Sequence, residues 1–281
     1  MNSKYDVCAV VSTYNRKYIL KNCLNALLKQ TLPLKEIIVI DGPSVDGTDA
    51  LIRNEFPEIT YVRLKKDVGG AGQFFVGLKL AYEKGFDWIW LMDDDVVPDP
   101  NALREMLSFH DRNGGLIFCP KVKNFNVFAP LFAGGLFSRH VVTKIGLPLS
   151  GFFIYWDDVE YGMRAEKAGI RIYYVNSAEV EHKDWLLRGS IYKRFLFVTL
   201  NSTVYPKGRK YYYIWRNSLY VYLRHHLFKK LLFSLIIKLP YNLIVFLIMG
   251  MNDRALAILK ATLDAFLLKS GKSLWVHAKP F

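Results

Sequence analysis

The sequence predicts an α/β fold with a mostly parallel central sheet, followed by a basic, mainly helical C-terminal region. Three observations carry that expectation. Apolar runs of strand length alternate with segments of helical period, in the pattern β-α-β-α-β-α-β, up to Asp95. The last of these runs ends in three consecutive carboxylates, Asp93, Asp94 and Asp95. The net charge of +13 is uneven: residues 1–182 sum to −1, whereas residues 183–281 sum to +14, with Asp184, Asp253 and Asp264 as their acids.

Tyr5–Ser12 reads as a buried first strand, and Thr13-Tyr14-Asn15-Arg16 as the polar turn after it. Ile19, Leu20, Cys23, Leu24, Leu27 and Leu28 then recur at helical spacing. Glu36–Ile40 is a second strand ending at Asp41-Gly42, and Thr48 or Asp49 is placed to cap a helix through Phe56. Thr60–Leu64 is a third strand, and the glycine-rich Gly69–Gly72 opens a helix to about Lys84. The acidic strand Trp88–Met92 follows, with Pro98 expected to stop further pairing. Pro100–Asn113 reads as helix and Gly115–Lys121 as strand. Lys123–Pro148, rich in Phe, Gly and Pro, reads as a long loop or hairpin over the site. Asp157-Asp158-Val159-Glu160 opens a helix ending near Gly169; Arg171–Val175 is another strand, and Ala178–His182 closes the region.

Ligands of such sheets bind beyond the carboxyl ends of the strands. Asn15, Asp41, the Gly69–Gly72 loop and Asp93–Asp95 all fall there. Three adjacent carboxylates repel one another and lose water near a core, and a divalent cation removes that problem. Alternate residues of an extended chain point the same way, so Asp93 and Asp95 can face one ion. Mg²⁺ or Mn²⁺ suits oxygen ligands and commonly completes its shell with substrate phosphates. An idle, solvated acidic loop is the alternative. Cys8, Cys23 and Cys119 form no CxxC pair and fit reduced thiols in a cytosolic setting. Met1–Asp6 shows no apolar leader core and no myristoylation glycine.

Taken together, Val11–Arg16, Asp41, Gly69–Gly72, Met92–Asp95, Trp156–Gly162 and His182 resemble family-2 inverting nucleotide-sugar glycosyltransferases of the GT-A fold, and within them bacterial galactofuranosyltransferases. The resemblance covers roughly residues 5–182. It implies that Asp93, Asp95 and His182 hold Mn²⁺ or Mg²⁺, and that Thr13, Asn15, Arg16, Asp41, Gly69, Gly70 and Asp94 contact the donor. It also implies that Asp158 is the general base, with Trp156, Asp157 and Glu160 at the acceptor. Gly42 departs from the family pattern, in which a second Asp is common. An N-cap role for Asp158 and structural roles for His182 and Trp156 are the alternatives. A carboxylate at a helix start is expected to be held ionised by the amide dipoles there.

In the basic region, Tyr211–Arg224 looks helical, Leu231–Met251 is an apolar run broken by Lys238, Pro240 and Asn242, and Ala255–Lys269 reads as an amphipathic helix. Basic charge beside Leu, Ile and Phe favours anionic lipid over nucleic acid. We therefore expect residues 1–185 to form the GT-A catalytic domain, and residues 186–281 a monotopic, membrane-associating region at the cytoplasmic face of the inner membrane. A spanning helix or a plain helical subdomain is the alternative. The expected activity is transfer of galactofuranose from a UDP donor to a polyprenyl-linked or other glycan. A rhamnosyl- or other hexosyltransferase is the runner-up, and a metal-dependent nucleotidyltransferase stands further off.

Overall fold

A computed structural model describes residues 4–182 and 208–269. The boundary expected at residues 185/186, and the first three residues, lie outside them. By its internal contacts the chain divides into two compact units, one of Met1–Ser150 with Tyr161–Leu186 and the other of Gly151–Glu160 with Leu187–Phe281.

The first unit holds strands β1 (Val7–Thr13), β2 (Glu36–Asp41), β3 (Thr60–Arg63), β4 (Trp88–Asp93), β5 (Val96–Pro98), β6 (Ile117–Val122), β7 (Leu136–Ser138) and β8 (Ile172–His182). They form one mixed sheet in the order β3-β2-β1-β4-β7-β6-β8-β5. β1, β2, β3 and β4 pair in parallel, as do β6 and β8, while β7 and β5 run antiparallel to their neighbours. Its helices are α1 (Lys17–Leu28), α2 (Thr48–Glu55), α3 (Gly69–Glu83), α4 (Ala102–Asn113) and α5 (Arg139–Ile145). A sixth helix, α6 (Asp157–Lys167), begins among residues of the second unit.

The period of two along each strand divides the core between the two faces of the sheet. Val7, Ala9 and Val11 of β1 and Trp88, Trp90 and Met92 of β4 pack with Leu20, Leu24 and Leu27 of α1. The intervening Cys8, Val10, Ile89 and Leu91 pack with Phe74, Leu78 and Ala81 of α3. Seven consecutive buried residues in β1 explain why this strand reads as an unbroken apolar run. At Gly77 a Cβ would come within 2.3 Å of Val10 Cγ1, so the missing side chain lets α3 close on the sheet.

Three elements differ from the expectation. Pro98 does not end pairing: it lies in β5, opposite Val180 of β8, on the sheet's edge, where a missing N–H is tolerated. The stretch expected to be a loop or hairpin contains β7, inserted between β4 and β6, and α5. The strand expected over Arg171–Val175 continues through Ala178–His182 as a single strand, β8, whose pairing with β6 shifts register between Pro120 and Lys121.

The second unit contains α7 (Gly208–Arg224), α8 (Phe228–Phe233), α9 (Leu239–Ile248) and α10 (Asn252–Lys269). Tyr211, Trp215, Leu219 and Leu223 form a stripe on α7 that packs with Phe246, Ala255, Ile258, Ala261 and Ala265. Trp215 Nε1 donates to Thr262 Oγ1 at 2.9 Å. A π-helical turn, Ser234–Lys238, joins α8 to α9 just before Pro240. An α-helix would drive the proline ring into the carbonyl four residues back, and the wider turn relieves that clash. Asn242 Nδ2 then donates to the Lys238 carbonyl at 2.7 Å.

Candidate active site

β4 delivers the three carboxylates at its carboxyl end. Asp93 and Asp95 share one group of side chains with His182, while Asp94 is held by Thr13 and by an Arg16 that bridges it to Asp95. Thr13 Oγ1 donates to Asp94 Oδ2 at 2.8 Å, and Arg16 Nη1 to Asp94 Oδ1 at 2.8 Å. Arg16 also reaches Asp95 Oδ2 at 3.1 Å. β5 pairs Val96 with His182 at the end of β8, which brings the imidazole to Asp95, with Nε2 3.8 Å from Oδ1. Asp93, Asp95 and His182 each offer a ligand atom within 4.8 Å of the other two. Ligand atoms on opposite sides of one Mg²⁺-sized ion lie about 4 Å apart, so small rotamer shifts would bring all three onto it. Two hard carboxylates and an imidazole fit Mn²⁺ or Mg²⁺.

Beside them, β2 places Asp41 in a fully buried position. Ser44 Oγ and Tyr61 OH donate to its two oxygens, the latter at 2.6 Å. Burial pushes the Asp41 carboxyl up, and these bonds with the Arg63 charge pull it part of the way back. Asn15 sits in the left-handed region at φ 53°; its N–H donates to Ser44 Oγ at 2.7 Å and its Oδ1 accepts from the Val45 N–H at 2.8 Å. Gly42 now has a steric reason: a Cβ there would lie 2.7 Å from the Tyr14 ring. Gln73 of α3, buried, donates to the Thr13 carbonyl at 2.6 Å. Gly69 begins α3 at φ 68°, its N–H donating to Asp67 Oδ1 at 2.9 Å, and Gly70 faces open space.

The remaining candidates belong to the second unit. Phe153, Tyr155 and Trp156 adopt φ of 64°, 68° and 69° just before Asp157. Non-glycine residues in that region cost on the order of 1–3 kcal/mol each and persist only under external restraint. The restraint is α7. Asn217 Nδ2 donates to the carbonyls of Phe152, Ile154 and Tyr155 at 3.0, 2.9 and 2.8 Å. Asp158 Oδ1 accepts from the Val159 N–H at 2.8 Å. Burial nevertheless raises its proton affinity, outweighing the backbone bonds, so desolvation rather than the helix start dominates there. Asp157 is buried, and Glu160 is fully buried with Arg224 Nε donating to it at 3.0 Å. Trp156 packs edge-on against Tyr222, ring centroids 5.6 Å apart.

Sequence reading missed Ser44, Tyr61, Gln73, Arg216, Asn217 and Arg224. The first three lie off the recognisable motifs. The others sit in an aromatic segment that reads as membrane-associated, where an adjacent Arg-Asn pair on a buried helix was the available signal.

Residues 8–146 match the model of the family described as Glycosyl transferase family 2. Galactofuranosyltransferase GlfT1 of Mycolicibacterium smegmatis is 28% identical over 200 residues, which cover 58% of this chain and 66% of that one. The match thus spans just under two thirds of that relative's length. Two solved structures share the fold: residues 1–349 of TarS of S. aureus, with TM-score 0.55 and 17% identity over 90% of this chain and 81% of that one, and the mannosyltransferase PcManGT of Pyrobaculum calidifontis, in complex with GDP-Man and Mn²⁺, with TM-score 0.58 and 15% identity over 98% of this chain and 82% of that one. With the Asp93–Asp95 run at the end of its fourth strand, the domain built on residues 8–146 has a GT-A-like fold and matches glycosyl transferase family 2, a family whose members transfer glycosyl groups.

Proposed function

We propose that the protein is an inverting glycosyltransferase that moves galactofuranose from UDP-galactofuranose to a lipid-linked glycan. The observation that carries this reading is the Asp93–Asp95–His182 group at the strand ends, beside Thr13, Asn15 and Asp41; the GlfT1 likeness suggests the sugar. Asp93, Asp95 and His182 would hold Mn²⁺ or Mg²⁺. Such an ion, when bound, neutralises charge on a departing diphosphate. Thr13, Asn15, Arg16, Asp41, Gly69, Gly70 and Asp94 form the donor cradle. Asp158 takes the proton of the acceptor hydroxyl, and burial raises its affinity for that proton above that of an ordinary carboxylate. Asp157, Trp156 and Glu160 line the acceptor side, the Glu160 carboxylate held by Arg224 Nε at 3.0 Å. Incubation with UDP-galactofuranose, Mn²⁺ and a polyprenyl-linked acceptor is expected to release UDP only when all three are present. Turnover with dTDP-rhamnose in place of the UDP sugar would support the rhamnosyltransferase instead, and a product retaining a nucleotide would overturn the class.

We also propose that the second unit binds the inner membrane's cytoplasmic face from one side. Phe228–Ile248 is the one helix among the described residues long and apolar enough to cross a bilayer by length and composition. Phe228, Leu232, Phe233, Ile236 and Ile237 are exposed along it, and Lys229 and Lys230 stand exposed at its start. Apolar burial plus about 1 kcal/mol per basic residue near an anionic surface would hold such a helix in the interface. Binding to vesicles containing anionic lipid should exceed binding to neutral ones, weaken as salt rises, and fall in the K229E/K230E variant. Equal, salt-insensitive binding to both would argue for a spanning segment.

A further inference from the structure

α7 presents two faces. One carries the apolar stripe Tyr211, Trp215, Leu219 and Leu223 that forms the unit's core. The other meets the segment that leads into Asp157 and Asp158. Tyr213 stacks on Phe153 with centroids 4.7 Å apart and planes 16° from parallel, and Tyr220 meets Phe152 edge-on at 5.5 Å. Between them lie Arg216 and Asn217, at 8% and 0% exposure.

These two side chains act as one device. Arg216 Nη2 donates to the carbonyls of Gly151 and Phe152 at 2.8 and 3.0 Å. Arg216 Nε donates to Asn217 Oδ1 at 2.8 Å, which fixes the amide so that its NH₂ group faces the chain. That NH₂ shares the Phe152 carbonyl with Arg216 and gathers two further ones, those of Ile154 and Tyr155. The segment has three non-glycine residues at positive φ, so its carbonyls converge where an extended chain would splay them. Backbone strain of this kind needs a restraint that is itself immobile, and a buried, hydrogen-bonded Arg-Asn pair supplies one.

We propose that Arg216 and Asn217 are positioning residues for transfer: they hold residues 151–156 in the conformation that sets Asp158 as the base, without touching donor or acceptor. The inference rests on the assignment of Asp158 in the proposed function. Its signature is a split. Donor contacts come from β1, β2, α3 and β4, so loss of the pair should spare UDP binding and reduce turnover.

The test compares N217D, R216K and D158N, each normalised by UDP-binding stoichiometry and checked for cooperative thermal unfolding. Asn217→Asp keeps the shape and the acceptor for Arg216, but turns an oxygen toward three carbonyls. Its kcat is expected to fall at least tenfold, with the Kd for UDP in Mn²⁺ and the donor KM within about twofold of the parent; one general-base contribution spans about 10²–10⁴-fold, so partial misalignment should show as the lower part of that range. Arg216→Lys keeps the charge and gives up the fork, and should lower kcat by a smaller factor. Folded, UDP-binding N217D with parental kcat would overturn the inference while D158N remained inactive. An active D158N would overturn the base assignment, and this inference with it. Failure of both N217D and R216K to fold would also overturn it, since the pair would then serve folding alone.

Discussion

Asp158→Asn is expected to lower turnover by about 10²–10⁴-fold, the usual contribution of a general base, with UDP binding retained. The substitution keeps the side chain's shape and removes its proton affinity. In the parent, burial raises that affinity, so the acidic limb of the pH–rate profile should lie above the ordinary carboxylate range. The same shift has a consequence for stability. A carboxyl whose folded affinity exceeds its unfolded one favours folding when protonated, and that contribution is lost as pH rises through the folded value. Once the pH has risen past that value, Asp158 costs stability, and Asp158→Asn should then raise Tm while turnover collapses. Kinetics and thermal unfolding on one preparation check both signs. If Asp157→Asn is inactive and Asp158→Asn turns over normally, the two roles exchange.

Asp93→Ala and Asp95→Ala should each abolish turnover and weaken UDP binding in Mn²⁺ by more than about 100-fold, because loss of an outer-shell partner alone already costs about 10–100-fold in metal affinity. Asp95→Ala also removes a partner of Arg16, so Asp93→Ala is the cleaner variant. Calorimetric titration of UDP with Mn²⁺ present, and again in excess chelator, separates metal-dependent from metal-independent binding. Full activity in chelator would end the assignment of Asp93, Asp95 and His182 as ligands.

How much of this was legible follows from where each contact comes from. β1, β2 and β4 were plain because a parallel strand covered on both faces must be apolar throughout, and seven buried residues in β1 leave a mark no loop leaves. Asp93 and Asp95 were legible because their alternation is local. β5 was not, since three residues ending in proline have no local reason to pair; their partner, β8, lies far along the chain. His182 was reached through the resemblance, and what seats it beside Asp95 is that same strand pairing. Asp158 was found by the resemblance, but the balance at its carboxyl was misjudged: the helix start was visible in sequence, while burial is a property of the assembled fold. Asn217 was hidden for the opposite reason, because aromatic neighbours drew the whole helix into a lipid-facing reading.

The placement of Pro98 reaches beyond the site. The sheet ends on β3, four residues long, and on β5, three residues long and closing on that proline. Open edges are the usual templates on which one chain recruits a strand from another, and short or proline-bearing edges blunt them. A second copy would find too few free amides at either margin to register against. Copies gathered on a surface meet far more often than copies in bulk, and among the described residues these short edges leave such encounters little backbone to pair with.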